Sequence, residues 1–135
     1  MAIKNTFRKI FSTSTETREH HHEDSLKTRY YKTMKDKAMM EVETMLRNRK
    51  GFEVASVSED HGEIVVNVKS GKKTFVVATI IMVRPFRTAV DFSVSTETFL
   101  FTDFGHSRKM IRELYTDLDK RLQFVGTGLG DELAK

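Results

Sequence analysis

Phe99-Leu100-Phe101-Thr102-Asp103-Phe104-Gly105 leads into a segment where Met110, Ile111, Leu114, Tyr115, Leu118 and Leu122 recur at helical spacing. Arg108, Lys109, Arg112, Glu113 and Asp119 fall between them. This is the 3.6-residue stripe of an amphipathic helix lying on a core. A strand pattern stops at a polar turn, and the helix that follows can lay its apolar face back over a sheet. The rest of the chain is read as what this pair packs against.

Upstream, Thr88–Ser95 alternates, with Val90, Phe92 and Val94 on one face and Ala89, Asp91, Ser93 and Ser95 on the other. Lys73–Arg84 is the longest strand pattern and ends at the single proline, Pro85. Ser70-Gly71-Lys72 signals a tight hairpin back to Glu63–Lys69, and Glu59-Asp60-His61-Gly62 a turn back to Phe52–Ser58. Phe99–Thr102 reads as a fifth short strand or as a continuation of the fourth. Before the strands, Leu26, Tyr30, Met34, Ala38, Val42 and Met45 form one stripe. Ser25 is placed as its N-cap and Gly51 as its stop, with Arg47, Arg49 and Lys50 in the last turn. A helix of about 25 residues would be roughly 37 Å long, more than four strands span at ~4.8 Å each.

The expected fold is α+β, a two-layer sandwich. It has a long N-terminal helix, four or five antiparallel strands, and a C-terminal helix on the same sheet face. Residues 1–24 are expected to be a mobile or loosely packed segment, 25–125 a single domain, and 126–135 a flexible tail punctuated by glycines. A chain of 135 residues suits one domain with a real core. It has no cysteine, which excludes disulfides and thiolate chemistry. No apolar run reaches the ~18–20 residues of a membrane span, and Met1–Phe11 lacks a continuous apolar stretch of the secretory kind. The expected location is therefore cytoplasmic.

The Lys73–Arg84 strand is apolar on both faces. Val76, Ala78, Ile80 and Met82 point one way; Phe75, Val77, Ile81 and Val83 point the other. A strand with one solvated face should alternate. The second face is expected to be covered by the N-terminal segment, through Ile3, Phe7, Ile10 and Phe11, or by a second copy of the chain. A symmetric homodimer is the favoured expectation.

No arrangement of residues points to catalysis. Asp103-Phe104-Gly105 matches a kinase metal-binding triplet, but no glycine-rich loop or His-Arg-Asp loop accompanies it. Asp103, Phe104, Gly105 and Ser107 read instead as a structural turn and helix cap, with Gly105 supplying a positive φ. Asp103, His106 and Ser107 have the residue types of a hydrolase triad, but three groups so close at a helix start mostly point apart. His20-His21-His22 lacks the i, i+4 spacing of a dedicated zinc pair. No metal or cofactor is expected.

The net charge is +4, and it is uneven: residues 1–50 hold 12 Lys/Arg against 7 Asp/Glu, residues 51–104 hold 5 against 7. Contact with a polyanion would run through Lys4, Arg8, Lys9, Lys27, Arg29, Lys32 and Lys35. On the expected first helix the row continues through Lys37, then Arg47, Arg49 and Lys50, and Asp36, Glu41 and Glu43 interrupt it.

Val90-Asp91-Phe92-Ser93-Val94-Ser95, continued through Thr102-Asp103-Phe104-Gly105-His106-Ser107-Arg108-Lys109-Met110-Ile111, resembles the C-terminal signature of an uncharacterised bacterial family, domain of unknown function 1499. Asp103, Gly105 and Arg108 fall on that pattern. Ser107 stands where the family usually has Asn, and the family's Arg before its Ser-Ala-Ser stretch is absent. The resemblance implies a small α+β bacterial protein without an assigned activity, and it supplies no catalytic residue. The expected function is a small, soluble, non-enzymatic binding or regulatory module that self-associates. The alternative is a basic-surface protein contacting nucleic acid or anionic membrane through its N-terminal half.

Overall fold

The computed structural model describes residues 12–21, 23–69, 73–97 and 105–127. In chain order they form β1 (Ser12–Glu16), one 3-10 turn (Asp24–Leu26), β2 (Arg29–Tyr31), α1 (Lys35–Asn48), β3 (Phe52–Ser58) and β4 (Glu63–Val68). These are followed by β5 (Thr74–Arg84), β6 (Arg87–Glu97), α2 (His106–Asp119) and β7 (Phe124–Gly126). The seven strands make a single open sheet in the order β3-β4-β5-β6-β2-β7, with β1 also paired to β6. Every strand pair is antiparallel.

The expected fold is corrected in two respects. Among the described residues there is no long N-terminal helix, and the sheet has seven strands rather than four or five. The helix starts at Lys35, ten residues beyond the expected cap, and its N-cap is Met34. Its 14 residues give about 21 Å of length, which removes the overhang a longer rod would have had. Thr28, Tyr30, Tyr31 and Thr33 explain the late start: β-branched and aromatic residues suit a pleated strand better than a helix. Ser25 lies in the 3-10 turn, where its hydroxyl accepts from Arg112 Nε at 3.1 Å.

β1 and β2 are two pieces of one edge. β1 pairs with Ser93–Glu97 of β6 and β2 with Thr88–Val90, and both run the same way along it. Residues 17–28 leave the edge between them and return. Thr17 N–H donates to Phe92 O at 2.9 Å as the chain leaves, and Thr28 N–H donates to Arg18 O at 3.0 Å where it closes. Much of the stretch 12–24, expected to be an appendage, is thus paired to the sheet or carried in this excursion. Leu26 from the excursion is fully buried in the main core.

One face of the sheet carries Ile64, Val66, Val76, Ala78, Val90, Phe92 and Val94, all buried. Both helices pack there: α1 through Ala38, Val42, Met45 and Leu46, α2 through Ile111, Leu114, Tyr115 and Leu118. Tyr115 also donates from its hydroxyl to Val90 O at 2.7 Å, and its ring meets Phe92 edge-on at 5.0 Å. At α1's end Gly51 takes φ 80°, and its carbonyl accepts from Lys69 N–H. The expected hairpin at 70–72 and the expected strand at 99–102 lie outside the described residues.

Besides Gly51, two glycines and one phenylalanine hold left-handed backbone at the corners. Gly62 (φ 64°) passes so close to β5 that a Cβ there would collide with the Ile80 carbonyl. Gly105 (φ 80°) starts α2 with open space where its Cβ would be. Phe86 (φ 60°) follows Pro85 in the two-residue turn between β5 and β6, where Arg84 pairs with Arg87. A left-handed L-residue costs about 1–2 kcal/mol. Gly105→Ala should therefore lose about 1 kcal/mol from backbone strain alone. Gly62→Ala should lose clearly more, because β5 must also move. Denaturant melts of the two variants check this ranking, and equal losses would contradict the tight packing at Gly62.

Candidate interaction surface

The sheet's second face lies opposite both helices, and the strand register places its residues in rows. Val65, Val77 and Ser93 form one row across β4, β5 and β6; Asn67, Phe75 and Ser95 form the next; Glu63, Thr79 and Asp91 a third. β5 therefore runs down the middle as an apolar ridge broken by Thr79, with a polar row on β6 beside it. Phe75 is 43% exposed, Ile81 52% and Val83 42%, while Val77 and Val65 are half-buried. At one end the surface dips into a recess of about 480 Å³ lined by Asn67, Lys73, Phe75 and Ser95 among others. Lys73 and Glu97 pair across its rim at 3.9 Å.

Where β1 gives way to the excursion, the polar row becomes a closed cluster. Asp91 Oδ1 accepts from the hydroxyls of both Thr17 and Thr28, each at 2.6 Å. Thr17 Oγ1 in turn accepts from Phe92 N–H at 2.9 Å. Tyr30, buried beside them, donates to Glu19 Oε2 at 2.8 Å. Burial pushes the Asp91 carboxyl above its ordinary range; the threonine hydroxyls oppose this and the Glu19 charge adds to it. Burial likewise raises the Tyr30 phenol, and the Glu19 carboxylate reinforces that shift.

The residues singled out from the sequence do not converge. Asp103 and Phe104 lie outside the described residues. Gly105 is the N-cap of α2, and Ser107 is buried in its first turn, its hydroxyl 3.2 Å from that of Thr96. His106 instead faces Thr74 at 3.4 Å, so His106 and Ser107 engage different strands. His21 is buried, its Nδ1 accepting from Glu23 N–H at 3.0 Å; His20 is exposed, and His22 is outside the described residues.

The basic row is also dispersed, because the helix expected to carry it begins only at Lys35. Lys4, Arg8 and Lys9 lie outside the described residues. Lys27 pairs with Asp24 at 3.1 Å. Arg29 is a structural residue: it grips Asp119 through Nη2 at 2.7 Å and Nε at 3.3 Å, and it lies 3.7 Å over the Phe124 ring. Tyr31 donates to the same Asp119 at 2.7 Å, which fastens the end of α2 to β2 and β7. Lys32 is exposed, and Lys35 borders a polar recess with Asp36, Glu59 and Asp60.

The Asp91 cluster has no simple sequence signal, since its threonines stand 74 and 63 residues from the carboxylate. Its raised pKa sets a sign. The folded state binds the Asp91 proton more tightly than the unfolded chain, so this group's contribution to stability falls as pH rises through the shifted range and is lowest above it. Asp91→Asn keeps an oxygen for both hydroxyls and removes the charge. It should melt higher than wild type at pH 7, with the gap closing as pH falls toward the ordinary carboxylate range. Asp91→Ala should melt lower at every pH, because two buried hydroxyls lose their acceptor. Thermal melts from pH 4 to 8 read both effects.

No helix among the described residues is long and apolar enough to cross a membrane. The chain matches no protein-family model, no curated protein and no solved structure.

Proposed function

We propose that this chain is a non-enzymatic, self-associating binding module of the cytoplasm, whose second sheet face docks on the same face of another copy. The observation that carries the reading is the ridge Phe75, Ile81 and Val83, exposed on a strand whose other face is core. An uncovered ridge of this kind is unusual on a soluble monomer.

The geometry favours an identical partner. A two-fold axis through the ridge lays β5 on β5 and leaves each polar β6 row at the rim. The 6 residues of β4 and the 11 each of β5 and β6, at ~3.3 Å per residue and ~4.8 Å per strand, give a face of about 450 Å² per copy. Two such faces bury roughly 900 Å², the size of a weak, transient interface. Association is therefore expected to depend on concentration rather than to be permanent.

Light scattering across a concentration series tests this. Wild type should move from monomer toward dimer mass. Val77→Asp should stay monomeric at every concentration while keeping its circular dichroism. A wild type that stays monomeric at millimolar concentration would overturn the reading, as would a Val77→Asp variant that still dimerises.

A further inference from the structure

The apolar ridge on the second sheet face is framed by carboxylates. The register sets Glu53 in the row of Asn67, Phe75 and Ser95, and Glu16 in the row of Val65, Val77 and Ser93. Glu63 stands in the row of Thr79 and Asp91. Glu53 and Glu63 thus lie on the β3–β4 side of β5 and Glu16 on the β6–β1 side; Glu16 and Glu53 are exposed and Glu63 is half-buried. None of these three forms an ion pair with another described residue. At the recess end Lys73 is matched by Glu97, and Lys69 lies past the end of β4.

This frame sets a charge condition on whatever docks over the ridge. A second copy brings the same three carboxylates, and like charges juxtaposed across an interface weaken it. The occupant that meets the condition is a segment at once apolar and basic, without acids.

The chain carries such a segment beside the face. Residues 1–11 lie outside the described residues, but their sequence holds Ile3, Phe7, Ile10 and Phe11 with Lys4, Arg8 and Lys9, and no acid occurs before Glu16. They join the fold at Ser12, which pairs with Glu97, and Glu97 lines the same recess as Phe75. From Phe75 to Ile81 along β5 is about 20 Å. Eleven extended residues reach about 36 Å, enough to turn at the recess and run back over the ridge. A tether this short holds the segment at an effective concentration of about millimolar, so a second copy competes only when it is concentrated.

We propose that residues 1–11 dock on the chain's own second sheet face, with Ile3, Phe7, Ile10 and Phe11 on the β5 ridge and Lys4, Arg8 and Lys9 toward Glu16, Glu53 and Glu63, and that a second copy must displace them. The docking is independent of the face-to-face reading above; the displacement rests on it.

The chain has no cysteine, so Ala2→Cys gives a single site for a nitroxide label on the full chain. At concentrations where light scattering gives monomer mass, the label should broaden the amide signals of Phe75, Val77 and Ser93. Those of Thr44 and Thr116, on the helix side of the sheet, should stay sharp. The broadening should fade as salt is raised. Lys4→Glu, Arg8→Glu and Lys9→Glu together should remove it. Ile3→Ser with Phe7→Ser should also remove it, and should lower the concentration at which dimer mass appears. Broadening that is even over both faces, that survives the charge reversal, or that arises only on an unlabelled copy mixed with labelled chain overturns the docking. Dimer mass at an unchanged concentration in the Ile3→Ser, Phe7→Ser variant overturns the displacement. A chain that shows no dimer mass at any concentration overturns the displacement together with the face-to-face reading, while the label alone decides the docking.

Discussion

The outer edge of β6 is the constraint on which the rest of the structure depends. β6 is 11 residues long and central, with β5 hydrogen-bonded along one side. Its other side needs a partner of similar length, and an unpaired buried backbone group is costly. The chain supplies that partner in two pieces, β1 and β2, and sends the residues between them outward. Asp91 sits at the junction and accepts a hydroxyl from each end of the excursion, so one side chain pins both pieces. The excursion then reaches α2: Glu23 bonds Arg112 at 3.2 Å and Arg108 at 3.3 Å, and Leu26 enters the core. Pairing along one strand edge thereby also sets where α2 lies.

The partly buried ion pairs serve the same purpose at the other ends of the helices. Asp119 gathers Arg29 and Tyr31 where α2 stops, and the Arg29 guanidinium covers the Phe124 ring of β7. Arg49, just past α1, reaches Asp117 at 2.7 Å and Glu113 at 3.3 Å on α2, with Phe52 under its guanidinium at 5.0 Å. Such cations are structural in effect: their charge is matched within the fold, and the positive charge counted in the first 50 residues overstates what faces outward.

Which parts of this could be read in the sequence follows from the physics of each element. The stripe of α2 is uninterrupted and falls in a segment without β-branched residues at its apolar positions other than Ile111, so its period was unambiguous. The stripe of α1 continues past the helix's start into β2. Leu26, Tyr30 and Met34 stand four apart, but Leu26, Thr28 and Tyr30 also alternate, so both periods fit from Leu26 to Tyr30. β1, as Ser-Thr-Ser-Thr-Glu, has no apolar residue to betray it; only the unpaired edge of β6 calls for it. The second sheet face was legible, because β5 carries apolar residues on both faces, with Phe75, Val77, Ile81 and Val83 on the one away from the helices. The Asp91 cluster and the strained Phe86 were not, since one depends on distant pairings and the other on the sign of a dihedral angle.

β3, the last strand on its side of the sheet, is bulged between Val54 and Ser56. The bulge breaks the even spacing of N–H and C=O groups on that border and twists it out of line. Strands at the other borders, β1 and β7, are five and three residues long. None of the three offers the long, flat template on which strands from other molecules stack without limit. Assembly through the flat of the sheet, as proposed, would close after one partner, so the same chain could carry such a face and still resist growing into fibrils.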